Sequence, residues 1–252
     1  MDLSNSSAIV TGGASGLGAA TAALLAEKGV RVVALDLQAG IDKAPEVEGV
    51  TYVAADVTDE EQVRAAVAQA AEAAPLRLAV NCAGIATASR ILSKKGTHDL
   101  GLFARVVQVN LIGTFTVLTL AAERMAQQEP VDADGQRGLI INTASVAAFE
   151  GQIGQAAYAA SKGGVHSLTI SAARDLAQSG IRVNTIAPGI VETPMMAGVT
   201  EEYRERLAQD VPFPQRLAQP AEYAQLVETM VAHDYLNGTT IRMDGALRMA
   251  PR

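Results

Sequence analysis

Short apolar runs rich in β-branched residues alternate along this chain with longer alanine-rich stretches in which apolar residues recur at helical spacing. The short runs predict strands at residues 8–10, 30–35, 51–54, 78–81, 138–143, 181–186 and 240–243. The longer stretches predict helices at about 17–28, 59–73, 101–127 and 154–178. Strands that alternate with helices form parallel sheets covered on both faces. We therefore predict a single α/β domain over residues 1–252, built on a doubly wound parallel sheet of about seven strands with helices on both faces.

Composition and charge narrow the class of protein. The 252 residues carry a net charge of −7 and are 49% apolar, which suits a substantial core but gives no basic field to hold nucleic acid. Cys82 is the only cysteine, so no intrachain disulfide can form. Residues 1–5 show no signal-peptide pattern, and no uninterrupted apolar run approaches the ~20 residues of a membrane span. We expect a cytoplasmic protein that binds neither nucleic acid nor a membrane.

A glycine-rich segment, Thr11–Gly18, directly follows the first predicted strand and opens the first predicted helix. In this context such a segment binds the pyrophosphate of a dinucleotide. Gly12 would permit the tight turn, Gly16 would let the backbone approach the phosphates, and Gly18 would let the helix pack closely on the strand. A plain glycine turn is the alternative, which the placement disfavours. The segment predicts a Rossmann fold.

Asp36 closes the second predicted strand. From that place a carboxylate accepts hydrogen bonds from the adenosine ribose hydroxyls and repels a 2′-phosphate. Neither Ala14 nor Leu37 supplies a cation to offset the repulsion, so the sequence predicts NAD rather than NADP. A solvated aspartate at a strand end is the alternative. Asp56, followed by Val57, is either an adenine contact or a residue that begins a local turn.

Tyr158 and Lys162 lie four residues apart in a predicted helix, so their side chains point to the same side. Free tyrosine titrates near ~10, and a neighbouring cation lowers that pKa. Two cations at roughly 4 to 5 Å, Lys162 and an oxidised nicotinamide ring, would each favour the phenolate by about 3–4 kcal/mol at an effective dielectric near 20. The pair therefore predicts a general acid and base. Considered alone, the two residues are better explained as an ordinary helical tyrosine and lysine, and it is the rest of the chain that overturns that interpretation.

These segments, in this order, resemble the short-chain dehydrogenase/reductase family over essentially the full length of the chain. The resemblance rests on Thr11-Gly12-x3-Gly16-x-Gly18, Asn81-Cys82-Ala83-Gly84, Asn110, Ser145, Tyr158-x3-Lys162 and Pro188-Gly189. Within that family, four further segments are similar to those of the type 2 3-hydroxyacyl-CoA dehydrogenases, some of which also act as 17β-hydroxysteroid dehydrogenases. These segments are residues 93–98, 142–152, 211–214 and 244–249.

The resemblance implies a role for each matched residue. Tyr158 would give a proton to the substrate carbonyl in reduction and take it from the hydroxyl in oxidation, while Lys162 lowers its pKa and binds the nicotinamide ribose. Ser145 would hold the substrate oxygen, and Asn110 would keep in place a water that links Lys162 to solvent. An ordinary helical asparagine is the alternative for Asn110. The cofactor contacts implied in the same way are Gly12, Ser15, Gly16, Leu17, Gly18, Asp36, Asp56, Val57, Cys82, Gly84, Tyr158, Lys162, Val191 and Thr193, with no metal ligand.

The resemblance also implies a substrate and an assembly. The reaction would interconvert a (3S)-3-hydroxyacyl-CoA and the 3-oxoacyl-CoA with NAD as the cofactor. Residues about 190–215 would form a flexible lid whose methionines adapt to an acyl chain. Lys94 and Lys95 are candidates for contacts with coenzyme A phosphates, the alternative being simply solvated lysines. The helices at 101–127 and 158–177 would pack against their symmetry mates in a homotetramer.

Two other enzymes and one binding protein compete with this interpretation. A 3-oxoacyl-carrier-protein reductase or a hydroxysteroid dehydrogenase could be built on the same scaffold. Asp36 argues against the usual NADP-linked reductase, whereas nothing in the sequence excludes a steroid. A non-catalytic scaffold that uses the fold to bind a partner has no need of Asn110, Ser145, Tyr158 and Lys162 together.

Overall fold

The computed structural model describes residues 1–94, 96–196 and 200–251. Its main strands are β1 (Ser7–Thr11), β2 (Arg31–Asp36), β3 (Val50–Ala54), β4 (Leu76–Asn81), β7 (Gly138–Thr143), β8 (Ile181–Pro188) and β9 (Thr240–Met243). They form one parallel sheet in the order β3-β2-β1-β4-β7-β8-β9. Strands β5 (Leu92–Ser93) and β6 (Gly96–Thr97) form a separate antiparallel hairpin, which the sequence analysis did not predict. The predicted fold class, a doubly wound α/β sheet of seven strands, is confirmed.

Helices cover both faces of the sheet. They are α1 (Gly16–Glu27), α2 (Gln38–Ile41), α3 (Glu60–Ala73), α4 (Leu100–Val107), α5 (Thr114–Ala126), α6 (Ala156–Asp175), α7 (Glu201–Gln209) and α8 (Pro220–Ala232). Ala8 and Val10 share one core cluster with α1 and α8, whereas Ile9, between them, belongs to the cluster of α3, α5 and α6. Side chains that alternate between two buried faces explain why the strands are continuously apolar.

Helix α8 was not predicted from the sequence, although its start can be recognised there. The start of α8 carries two helix signals, Pro220 at the first position and Glu222, whose side chain accepts a hydrogen bond from the Gln219 N–H at 2.7 Å. The helix buries Tyr223 completely against the sheet. It completes the second helical layer beside α1.

Residues Leu100–Ala126 form one continuous helix whose middle, Gln108–Gly113, is a π-helical turn. By length and composition alone this helix could cross a membrane, contrary to the sequence prediction, which considered only uninterrupted apolar runs. Its buried residues Val117 and Ala121 belong to the same core cluster as Ala79 of β4. The helix is thus a layer packed on the sheet, and an apolar helix of this kind is ordinary in a protein core.

Arginines near the starts of strands cap helix ends at the amino-terminal edge of the sheet. Arg31 of β2 donates to a carbonyl at the end of α3, and Arg77 of β4 donates to a carbonyl beyond the end of α5. The buried Arg182 of β8 donates to the carbonyls of Met230 and His233 at the end of α8, at 3.1 and 3.2 Å. These cations compensate the negative ends of the helix dipoles. The positive, amino-terminal ends of the same helices face the opposite edge of the sheet.

Polar residues collect at that opposite, carboxyl-terminal edge. Thr11, Asn81, Asn142 and Thr185 are paired in register across β1, β4, β7 and β8. All four are buried, and Asn81 donates to the Asn142 side-chain oxygen at 2.9 Å. Loops that leave the strands at this edge therefore start from fixed positions next to the helix amino termini, the arrangement that places ligand sites in parallel α/β sheets.

Candidate active site

The glycine-rich segment after β1 has the geometry of an anion-binding turn. Gly12 has a φ of +64°, and a Cβ there would lie 2.9 Å from the Ala83 nitrogen. A Cβ on Gly18 would lie 2.2 Å from the Gly12 carbonyl oxygen, so the start of α1 packs directly on the turn. Ser15 is exposed at the start of α1, and its hydroxyl does not cap the helix. The amino terminus of α1 is thus available to a phosphate.

Asp36 lies at the mouth of this turn, as the sequence predicts. Its carboxylate accepts hydrogen bonds from the backbone N–H groups of Ala14 at 3.0 Å and Leu37 at 2.8 Å. A Cβ on Gly40 would come within 2.8 Å of the carboxylate, so the glycine at that position leaves it room. Among the described residues Asp36 has no ion pair. The donor and acceptor set at this end therefore fits the adenosine half of a dinucleotide.

Asp56 begins a local turn, one of the two roles that the sequence allows for it. Its carboxylate accepts hydrogen bonds from the Thr58 N–H at 2.9 Å and the Thr58 hydroxyl at 2.7 Å. These bonds, with a weaker contribution from Arg105, hold the pKa of Asp56 below its ordinary value. Val57 is buried, and it would contact a Cβ on Gly113 at 2.7 Å. Asp56 thus begins a turn, while contact of either residue with adenine stays a prediction.

The loop after β4 is fixed to the loop after β1 by one hydroxyl. Thr11 Oγ1 accepts from the N–H groups of Cys82 and Ala83, each at 3.1 Å. The Cys82 thiol lies 3.7 Å from the Tyr223 hydroxyl, and burial raises its pKa to about 11. A thiol with so high a pKa is a poor nucleophile at neutral pH, and the cofactor contact implied for Cys82 stays a prediction.

Lys162 is buried, and its Nζ donates a 2.7 Å hydrogen bond to the carbonyl oxygen of Thr143. Burial lowers the pKa of Lys162 to about 8, so the side chain stays mostly protonated at neutral pH. Nζ lies 5.9 Å from the centroid of the Tyr158 ring. The predicted pairing of a phenol with a cation on one helix is therefore present, on α6.

The direction of the Tyr158 shift differs from the sequence prediction. Burial raises the pKa of Tyr158 above its ordinary value of 10, and a hydrogen bond with the Ser145 side chain only partly offsets that effect. The Nζ of Lys162 is hydrogen-bonded to the Thr143 carbonyl and lies 5.9 Å from the centroid of the ring, and at that distance its charge does not outweigh burial. In the ligand-free chain the expected lowering of this pKa by Lys162 does not appear, and its lowering by Lys162 together with an oxidised nicotinamide stays a prediction.

Asn110 lies in the π-helical turn, and its side chain holds the turn that follows β4. Its Oδ1 accepts from the Ile85 N–H at 2.8 Å, and its Nδ2 donates to the Ile85 carbonyl at 2.9 Å and to Ser161 Oγ at 3.0 Å. A Cβ on Gly84 would lie 3.1 Å from Asn110 Oδ1 and 3.6 Å from Lys162 Nζ. Asn110 therefore connects the loop that contains Gly84, an implied cofactor contact, to α6. That Asn110 holds a water linking Lys162 to solvent stays a prediction.

The predicted lid has more regular structure than the sequence suggested. Val191 is buried and forms a bridge with Ala218, and a Cβ on Gly16 would lie 3.4 Å from Thr193. The lid segment therefore starts directly above the glycine turn. Farther along, α7 begins after a Thr200 cap, and residues 197–199 lie outside the described residues.

Two residues of the site were missed from the sequence. Thr143 supplies the carbonyl that holds Lys162, and Ser161 connects the Asn110 side chain to the Tyr158 carbonyl, to which it donates at 2.8 Å. Thr143 carried no chemical signal, because the acting group is a backbone carbonyl. Ser161 stands next to Lys162 in the sequence, and only its complete burial marks it out.

Comparisons with known proteins agree with this geometry. A family profile described as short chain dehydrogenase matches residues 6–204. The chain is 53% identical to the 3-hydroxyacyl-CoA dehydrogenase type-2 of Bos taurus, over 97% of this chain and 95% of the relative. It is 51% identical to the Drosophila melanogaster protein of the same name, over 99% and 100% of the two chains. A crystal structure of 3-hydroxyacyl-CoA dehydrogenase type-2 from Mycobacterium avium superposes with a TM-score of 0.92, at 44% identity and 98% coverage of both chains.

The pKa of Lys162 gives a testable pH dependence of stability. Its value in the folded chain, about 8, lies below the ordinary 10.5, so between those pH values the unfolded chain binds more protons than the folded one. Lys162 should therefore raise the free energy of unfolding by on the order of 3 kcal/mol as pH rises across this range. Lys162→Met should lack this rise, whereas Lys94→Met, at an exposed position, should keep it. Urea unfolding of the ligand-free protein at the two pH values measures the difference, and a rise of equal size in Lys162→Met would contradict the assignment.

Proposed function

The chain belongs to the short-chain dehydrogenase family and is an oxidoreductase, and we propose that it interconverts (3S)-3-hydroxyacyl-CoA and 3-oxoacyl-CoA with NAD. The observation that carries the proposal is the buried Lys162 ammonium next to Tyr158, at the edge of the sheet where the glycine turn lies. The substrate class is supported by relatives of 51% to 53% identity that are named for it.

The described residues fit a dinucleotide. The start of α1 would hold the pyrophosphate, Asp36 the adenosine ribose, and Lys162 the nicotinamide ribose. When bound, the nicotinamide would exchange a hydride with C3 of the substrate and, in its oxidised form, add a positive charge to the site. Asp36 supports NAD over NADP, because its carboxylate would repel the 2′-phosphate of NADP. None of the described cations forms an ion pair with Asp36 that would offset this repulsion.

Tyr158 would act as the proton donor in reduction. The raised pKa keeps its hydroxyl protonated, and the Ser145 side chain is hydrogen-bonded to it. Both hydroxyls could then donate to the carbonyl oxygen of the substrate, where negative charge develops. In oxidation the phenol must first lose its proton. The raised pKa of Tyr158 opposes that step in the protein without cofactor, so oxidation at neutral pH needs the further positive charge of the oxidised nicotinamide.

Part of the substrate proposal concerns coenzyme A. Lys94 is exposed at the turn of the β5–β6 hairpin, and Arg90 is exposed before it. Cations at that place are suited to phosphates. Lys95, the second predicted contact, lies outside the described residues. A larger KM for a short 3-ketoester than for acetoacetyl-CoA would support the contact.

A 3-oxoacyl-carrier-protein reductase or a hydroxysteroid dehydrogenase remains the alternative within the family. The Asp36 carboxylate disfavours an NADP-linked reductase. Assays with steroid alcohols would distinguish a hydroxysteroid dehydrogenase from a 3-hydroxyacyl-CoA dehydrogenase. A non-catalytic scaffold is disfavoured by the burial of Lys162, because a buried cation that one hydrogen bond compensates only in part is costly in a protein that makes no use of it.

We further propose a homotetramer in which the helix Leu100–Ala126 and α6 pack against their symmetry mates. Ile112 and Phe115 on the first helix and Ile170 on α6 are between 43% and 49% exposed. Apolar side chains so exposed on helices that already cover the sheet favour a second partner. Light scattering at micromolar concentration should give four times the mass of the chain, and a stable monomer would exclude the assembly.

The catalytic assignment predicts a specific loss in Tyr158→Phe. The variant keeps the ring and its packing but lacks the proton donor, so kcat for acetoacetyl-CoA reduction should fall by at least about 100-fold. Binding of NADH, followed by its fluorescence, should change less than twofold. Tyr235→Phe, at an exposed position, is the matched control and should keep wild-type kcat. If Tyr158→Phe turns over at the wild-type rate, the proposed mechanism is wrong.

The cofactor assignment predicts a change of preference in Asp36→Ala. Removing the carboxylate takes away a ribose contact and the repulsion of a 2′-phosphate, so the ratio of kcat/KM for NADH over NADPH should fall by about 10- to 100-fold. Steady-state kinetics with both cofactors measure the ratio. Asp175→Ala, an exposed carboxylate at the end of α6, should leave it unchanged. An unchanged ratio in Asp36→Ala would remove the NAD assignment.

A further inference from the structure

Glu150 joins two segments that the sequence placed far apart. It lies in the loop Val146–Gln155, called here the substrate loop, which connects Ser145 to α6. The Glu150 carboxylate forms a two-point ion pair with Arg242 at the end of β9, with N to O distances of 3.0 and 3.3 Å. It also accepts from the Met249 N–H at 3.0 Å. Met249 belongs to residues 244–251, called here the tail segment.

Two more hydrogen bonds tie the tail segment to the substrate loop. The Gln152 side chain donates to the Ala250 carbonyl at 2.9 Å, and the Ile153 N–H donates to the Pro251 carbonyl at 3.1 Å. The loop is therefore held at three successive places by a segment almost one hundred residues away in sequence.

Arg242 is itself fixed on several sides. Its Nε donates to the Asp244 carboxylate at 2.6 Å, and its guanidinium lies 5.1 Å from the centroid of the Phe149 ring. The Asp244 side chain is only 8% exposed, and Arg248 reaches the same carboxylate at 3.2 Å. A planar guanidinium held at both ends supports the carboxylate of Glu150 in a single orientation.

The charge of Glu150 is stabilised by this surrounding. Burial opposes ionisation of the carboxyl group, but the hydrogen bonds from Arg242 and Met249 outweigh it and hold the pKa of Glu150 below its ordinary value. The side chains of Glu150 and Arg242 are 25% and 21% exposed, so water screens the pair less than it screens a surface ion pair. The contact is thus more than a solvated pair of charges.

The held loop lies next to the reacting groups. Ser145 precedes it directly, and Tyr158 follows its end by three residues. The loop also forms one wall of a cleft of about 420 Å³, whose other wall is residues 90–92 before and within the β5–β6 hairpin. Gly154 accepts a 2.8 Å hydrogen bond from the Ser89 N–H across this region. A shift of the loop would therefore move both the cleft and the approach to Tyr158.

We infer that Glu150 and Arg242 are positioning residues for the acyl substrate, and that the tail segment is part of the active-site architecture through them. The pair acts on the shape of the substrate loop, and among the described residues none of its hydrogen bonds or ion pairs reaches the glycine turn or Asp36. The inference rests on the proposed function for the choice of substrate. The mechanical part, that the ion pair orders the loop, holds for any substrate.

The test compares Glu150→Gln, Arg242→Gln and the double variant with the wild-type enzyme. Because a displacement of roughly 1 Å near a reacting centre can cost about 100-fold in rate, we expect kcat/KM for acetoacetyl-CoA to fall by about 10- to 100-fold in each single variant. The double variant should be no worse than Arg242→Gln, since both members belong to one ion pair. The dissociation constant of NADH, measured by fluorescence, should stay within twofold.

Arg64→Gln is the control for the loss of an ordinary ion pair. Arg64 pairs with Glu60 and Glu123 at 2.9 and 2.8 Å, on helices remote from the substrate loop. Its kcat/KM should equal that of the wild type. If folded Glu150→Gln has wild-type kcat/KM, or loses NADH affinity in parallel with substrate affinity, the positioning role is wrong.

Hydrogen exchange of the ligand-free protein tests the mechanical part without any substrate. Amides of residues 146–155 should exchange about tenfold faster in Glu150→Gln than in the wild type, while those of β1 and α1 stay unchanged. If Glu150→Gln does not fold, Arg248→Gln, which removes the outermost and 61% exposed arginine, should show a smaller increase in the same loop. Unchanged exchange there would overturn the inference. Wild-type enzyme inactive toward acetoacetyl-CoA would instead contradict the proposed function, leaving the exchange result to decide the role of the pair.

Discussion

The ammonium group of Lys162 is buried away from water and therefore needs a hydrogen-bond acceptor within the protein. The backbone carbonyl of Thr143 is that acceptor, at 2.7 Å. Thr143 is the last residue of β7, so the charge is fixed by the sheet itself. The shift of the Lys162 pKa to about 8 shows that this single bond compensates burial only in part. The site is therefore built to gain stability from anionic or hydroxyl groups that approach the ammonium, as the ribose of a cofactor and the phenol of Tyr158 would.

The two edges of the sheet differ in their electrostatic environment. At the amino-terminal edge, Arg31 and Arg182 donate to carbonyls at helix ends and compensate the negative ends of the dipoles, and Arg77 donates to a carbonyl just beyond the end of α5. At the carboxyl-terminal edge, the helix start at Gly16 offers unpaired N–H groups, and Thr11 joins the two loops that border the crevice. An acidic chain can bind an anionic dinucleotide because its local fields, rather than its net charge, point the right way.

Much of the site followed from residue types that have a fixed chemical meaning. The glycines at 12 and 18 permit an approach that any side chain would block, and Asp36 ends a strand that its apolar run had already defined. Helix α8 carried readable signals at its start, Pro220 and Glu222, although it lies beyond the last helix predicted from the sequence. The π-helical turn around Asn110 had no such signal, because the change in hydrogen-bond register is not encoded by any one residue type.

The strand and helix alternation, the place of the glycine turn and the pairing of Tyr158 with Lys162 could all be inferred from the sequence, since each depends on spacing along the chain or on one residue's chemistry. The direction of the Tyr158 pKa shift could be known only from the folded structure, because burial depends on what the rest of the fold packs around the hydroxyl. The same is true of the contacts by which Arg242 and Met249 hold Glu150, more than ninety residues away in sequence. Contacts over such separations follow from the sheet order, which no local pattern specifies.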